Sequence, residues 1–139
     1  MDLKGKKIVF LGDSITEGCG TSGAEHHFVT LVGKAGGFRE SKNYGIGGTR
    51  IARQTKPSDC ANWDKDFCAR VEELDEDADI IGVFGGTNDF GHGDAPLGTF
   101  GDRSPASAPA MCEAPASLRA RPGGSPSRPK GQRDRKTNQ

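Results

Sequence analysis

The sequence predicts an α/β fold built on a parallel sheet, and three observations carry that reading. Two short apolar runs, at 8–11 and 80–84, read as strands buried on both faces, because helices cover both sides of a parallel sheet. Segments of helical spacing alternate with these runs and with a third strand candidate around Tyr44 and Ile46, giving β-α-β-α-β. Glycine and small polar residues follow each strand, and open α/β sheets place their ligands at those carboxyl ends.

The first strand runs into Gly12-Asp-Ser14, which sets a hydroxyl where the chain must turn. Ser22-Gly-Ala-Glu25 has capping-box spacing and predicts a helix start. Ala24, Phe28, Leu31, Val32 and Ala35 then form an apolar stripe that Gly36-Gly37 ends. His26 and His27 fall inside this helix, and no further ligands at suitable spacing support a metal role for them. The loop Gly45-Ile-Gly-Gly48 carries three glycines in four positions, which marks a tight bend or a place where a ligand approaches the backbone. Pro57-Ser-Asp59 offers a second helix start, with Trp63, Phe67, Val71 and Leu74 on one face. The acidic run at 72–79 opposes the dipole at a helix C-terminus, so solvation of a surface turn is its ordinary explanation. The strand at 80–84 closes on Gly85-Gly-Thr-Asn-Asp89.

Composition divides the chain near residue 102. Residues 1–102 hold 11 basic and 17 acidic side chains, a balance of −6, whereas residues 103–139 hold 8 and 2, a balance of +6. Every Ile, Val, Phe, Tyr and Trp lies at or before Phe100, and six of the eight prolines lie after it. Only the first segment can bury a core. The second is expected to be disordered, because it cannot offset its ordering entropy. Its Ala/Arg/Pro/Ser/Gly bias matches what a shifted reading frame yields from GC-rich codons. An interaction arm for nucleic acid or an acidic membrane is the functional alternative, but neither a nucleic-acid nor a membrane partner is expected. The apolar run after the basic N-terminus is too short for a secretory segment, so the sequence predicts a cytoplasmic protein with reduced cysteines. Cys60 and Cys68 read as small buried hydrophobes. No motif calls for a cofactor or a metal.

Ester cleavage needs a nucleophile, a base and donors for the developing oxyanion. Ser14 supplies a nucleophile, and its N–H, the Gly48 N–H and the Asn88 amide are candidate donors. These blocks resemble the SGNH or GDSL hydrolase family of esterases and lipases. Gly12-Asp-Ser-Ile-Thr-Glu-Gly18 resembles its first block, Asn43-Tyr-Gly-Ile-Gly-Gly48 its second and Gly86-Thr-Asn-Asp89 its third. The resemblance spans about residues 5–100. It implies a flavodoxin-like three-layer α/β/α fold, of which the N-terminal part is present with its parallel strands in the order 2-1-3, and a small acyl ester as substrate. It also implies catalytic roles for Ser14, Gly48 and Asn88, with Asp13, Asn43 and Asp89 in support. The family's last block, Asp-x-x-His, has no counterpart after Phe100, which predicts an impaired or inactive enzyme. Asp89-Phe-Gly-His92 has that spacing but overlaps the third block. It is read as coincidence, with His92 kept as a surrogate base. The alternative from another class is a non-catalytic small-ligand binding module on the same scaffold. A third strand lacking a neighbour also predicts self-association through its exposed edge.

Overall fold

The computed structural model describes residues 2–96; the proposed tail at 103–139 lies outside them. Three parallel strands, β1 (Lys7–Gly12), β2 (Glu40–Gly45) and β3 (Ile80–Phe84), form one sheet in the order β2-β1-β3. The expected fold class and strand order are both found. Parallel neighbours cannot be joined by a hairpin, so the chain crosses over twice, and each crossover packs a layer on one face.

All six residues of β1 are buried, as its apolar run predicts. Side chains alternate across the sheet. Val9 and Leu11 join Phe67 and Leu74 in one cluster, while Ile8 and Phe10 join Val29 in the other. The central strand is therefore shared by both halves of the core.

The helix after β1 departs from expectation. A single 3-10 turn (Ala24–His26) precedes α2 (Phe28–Gly36), with His27 between them in extended conformation. Ser22 does not cap this start; its hydroxyl instead pairs with His26 Nδ1 at 2.6 Å. The buried face of α2 is Val29 and Gly33, and Leu31 and Val32 of the predicted stripe are exposed. Gly37 caps the end.

The second predicted helix is also broken. It consists of a 3-10 turn (Ala61–Asp64), the short α3 (Phe67–Arg70) and another 3-10 turn (Val71–Glu73). Asp66 interrupts it, because its carboxylate accepts the Ala69 N–H as an N-cap and pairs with Arg53. Short acidic side chains compete for backbone in this way and favour helix starts over interiors. Phe67 and Leu74 still face the core, but Trp63 is half-exposed.

The strand β3 is not buried on both faces. Ile81 and Val83 align with Val9 and Leu11 and so share their face, yet both stay exposed, as does Phe84. Phe67 and Leu74 cover β1 and stop short of β3. Among the described residues β3 pairs only with β1.

The acidic run does more than solvate a turn. Asp75 accepts from Lys42 and from the Tyr44 hydroxyl and pairs with Lys7 at 2.8 Å; Asp77 also takes Lys7, and Asp79 takes the Lys7 N–H and Lys6. Hydrogen bonds from Lys42 and Lys7 hold the Asp75 carboxyl well below the usual carboxylate range. Cys19 and Cys60 are free thiols, as expected. Neither Cys60 nor Cys68 is fully buried. No helix among the described residues is long and apolar enough to cross a membrane.

Candidate active site

The carboxyl end of β1 leads directly into α1 (Ser14–Glu17), a single helical turn capped by Asp13. Asp13 is wholly buried and its carboxylate accepts the Ile15 N–H at 3.0 Å, so it shapes the turn that presents Ser14. The turn lies close against the strand: a Cβ on Gly12 would stand 1.9 Å from Thr16 Oγ1 and 2.7 Å from the Phe84 carbonyl. Only glycine fits there. Ser14 is partly exposed, and its hydroxyl makes no hydrogen bond among the described residues.

The loop after β2 closes over this turn. Asn43 donates to the Thr16 carbonyl at 2.7 Å and accepts the Gly45 N–H, joining β2 to α1. Ile46 donates to the Gly12 carbonyl, and Gly47 donates to Glu17. A Cβ on Gly47 would lie 3.6 Å from that of Ser14, so the glycine loop runs beside the serine. Gly48 has φ +76°, and its missing side chain leaves room for the Trp63 indole, which a Cβ would meet at 2.1 Å. Its N–H makes no hydrogen bond among the described residues.

The third element is α4 (Thr87–His92), which follows β3. Asn88 donates one amide hydrogen to the Thr49 carbonyl at 2.9 Å, which fixes it beside the glycine loop. The Asp89 carboxylate accepts the Ile51 and Ala52 N–H groups, both at 2.9 Å. Asp89 thus secures the loop after Gly48 and forms no hydrogen bond with His92. His92 lies one turn beyond Asn88 and borders a cavity with Trp63 and Arg50. It makes no hydrogen bond to Ser14 among the described residues.

Two supporting residues escaped the sequence reading. Arg70 is buried and donates to the carbonyls of Gly12 and Tyr44 and to the Thr49 hydroxyl, joining the ends of β1 and β2. Burial lowers its pKa. Thr49, wholly buried, donates to the Ile46 carbonyl. An arginine on a predicted amphipathic helix carries no signal that it turns inward.

The profile of the GDSL-like lipase/acylhydrolase family matches residues 10–135, and the chain belongs to that family. Its members are hydrolases of ester bonds, consistent with the resemblance in the three sequence blocks. No protein of curated function matches the sequence. A solved crystal structure 32% identical superposes with a TM-score of 0.62, covering 77% of this chain and 47% of its own. A Lactobacillus plantarum protein solved by a structural genomics consortium is 35% identical, with a TM-score of 0.58 over 75% and 44%. A carbohydrate acetylesterase family member from Sinorhizobium meliloti, 22% identical over 61% and 43% with a TM-score of 0.45, is too distant to bear on the site. The chain spans a little under half the length of these structures.

Proposed function

We propose that this chain carries the nucleophile and oxyanion donors of a hydrolase of small acyl esters. Ser14 Oγ attacks the ester carbonyl, and the negative charge on the carbonyl oxygen is received by the N–H groups of Ser14 and Gly48 and by Asn88. The observation that carries this reading is the pattern of donors left over. Gly47 and Asn88 each spend a hydrogen on the scaffold, while the Gly48 N–H and the second Asn88 amide hydrogen remain for a ligand. The Ser14 N–H, in the first helical turn, likewise has no helical acceptor. Preorganised donors of this kind act without reorganisation as charge develops.

Among the described residues no imidazole hydrogen-bonds Ser14, and we propose that, without a general base to take the Ser14 proton during attack, the chain turns over slowly. Losing the base of a serine hydrolase costs on the order of 10⁴–10⁶ in turnover, leaving about 10³–10⁴ over water from the oxyanion hole and binding. A fluorophosphonate probe should label Ser14 slowly, with no label on Ser14→Ala. Hydrolysis of a short-chain nitrophenyl ester should fall far below about 1 s⁻¹, the low end of ordinary enzymes. Turnover at that rate, abolished by Ser14→Ala, would overturn the missing-base reading, and its loss in His92→Ala would make His92 the base. A folded chain that never labels at Ser14 would favour the binding module instead.

A further inference from the structure

Beside the Gly48 loop lies a cavity of about 320 Å³, within the size range of small-ligand sites. Both of its near walls grow from the candidate oxyanion elements. Trp63, whose indole fills the space beside Gly48, lines one side, and His92, one helical turn after Asn88, lines another. Arg50, two residues beyond Gly48, lines it as well and is only 6% exposed.

Arg50 is the unusual member. A guanidinium offers five N–H donors, and a buried cation is ordinarily paired with an anion. Here Nη1 donates to Ser58 Oγ at 2.9 Å, Nε is buried without a partner, and Nη2 makes no hydrogen bond among the described residues. No carboxylate forms an ion pair with it among those residues. The nearby Asp64 lies outside ion-pair distance: it accepts the Ser58 N–H and feels the Arg50 charge only at longer range. Two carboxylates do line the cavity, but neither pairs with Arg50: Asp94 accepts the Thr55 and Lys56 N–H groups and the Thr55 hydroxyl, while Asp59 is exposed. Lys56 adds a second cation to the wall.

We propose that this cavity binds an anionic group, a carboxylate or a phosphate, through Arg50, and that it receives the charged end of an acidic ester. Planar, bidentate recognition of such oxygens is what a guanidinium does best. The assignment as a substrate subsite rests on the ester-hydrolase reading; the anion site itself does not.

Trp63 is the only tryptophan in the chain, so its fluorescence reports on this cavity. The full chain should be titrated with succinate, with inorganic phosphate and with uncharged succinamide at matched ionic strength. Succinate or phosphate should saturate the Trp63 signal in the low-millimolar range and bind on the order of tenfold more tightly than succinamide, as a charge-assisted pair requires. The better of the two anions identifies the group. Arg50→Gln should lose the preference, and Ser14→Ala should keep it. Equal responses to succinate and succinamide by the wild-type chain, or none to either anion, would overturn the site without needing any variant to fold. Fluorophosphonate labelling of Ser14 reads the hydrolase assignment separately. If succinate binds but Ser14 never labels, the anion site stands and its role as a substrate subsite falls.

Discussion

Gly48 concentrates the constraints at the site. Its left-handed backbone and the indole against it both exclude a side chain, and its N–H makes no hydrogen bond among the described residues. Gly48→Ala should lower stability by about 1–3 kcal/mol, from backbone strain together with displacement of Trp63. The same variant should shift Trp63 fluorescence, because the indole must move; an unchanged spectrum and melting temperature would contradict the packing. Arg70 makes a different kind of contribution. Arg70→Met would leave the carbonyls of Gly12 and Tyr44 and the Thr49 hydroxyl with one donor fewer each. Removing a donor from buried acceptors costs about 1–3 kcal/mol, so urea denaturation should show a loss of about that size. A change below about 0.5 kcal/mol, the usual effect of a plain surface substitution, would show that the network is not needed. Gly48 was visible in the sequence through the resemblance of Asn43-Tyr-Gly-Ile-Gly-Gly48 to the family's second block, since a glycine turn after a strand is ordinary by itself. Arg70 was not, because charge predicts exposure until a buried set of acceptors supplies the reason for burial.

At the scale of elements, the buried central strand was legible and the helices were less so. The four-residue apolar run of β1 lies in the middle of the sheet as read. A stripe of apolar residues on a short helix fixes the face only loosely, and α2 turned Val29 and Gly33 inward instead of Leu31 and Val32. Gly33 packs there because a Cβ would lie 2.5 Å from that of Ser41, a closeness set by β2 and invisible in a periodicity. The strand β3 leaves Ile81, Val83 and Phe84 exposed. We expect the chain to self-associate through this edge and face, and Val83→Lys to reduce light scattering while keeping the far-ultraviolet spectrum, since an inserted charge is a natural guard on such strands. A wild-type chain that sediments as a single monomer at high concentration would count against it.

For the molecule as a whole, the acidic run at 72–79 predicts the response to pH. Asp75 is depressed chiefly by hydrogen bonds from Lys42 and Lys7, Asp77 by Lys7, and Asp79 by the Lys7 N–H and Lys6. Carboxylates with lowered folded-state pKa values stabilise the fold fully above their unfolded values of about 4, and that contribution is lost as pH falls through the folded values. The melting temperature should therefore hold from neutral pH down to about 4 and then drop. Asp75→Asn should lower it at neutral pH and flatten the drop. Lys7 and Lys42 are raised, chiefly by Asp75, so their share persists below the ordinary lysine value and is lost only at strongly alkaline pH. A melting temperature independent of pH between about 2 and 6, a window that brackets carboxylate titration, would contradict the network.

What the sequence by itself determined was local and periodic: one strand buried on both faces, and glycine and polar residues at three strand ends. Each follows from residues close together in the chain, where pattern and sterics act directly. Only the tertiary structure decided which face of α2 is buried, that Asp66 breaks the following helix, and that β3 stays half open. It also decided that Asp75 holds Lys7 and Lys42, and that Arg70 and Arg50 turn inward. Several of these are contacts between residues far apart in the chain: Lys42 and Asp75 lie 33 positions apart, and Arg70 and Gly12 58. A side chain's own chemistry does not say which distant partner will satisfy it; that is settled when the sheet brings the partners within hydrogen-bond reach.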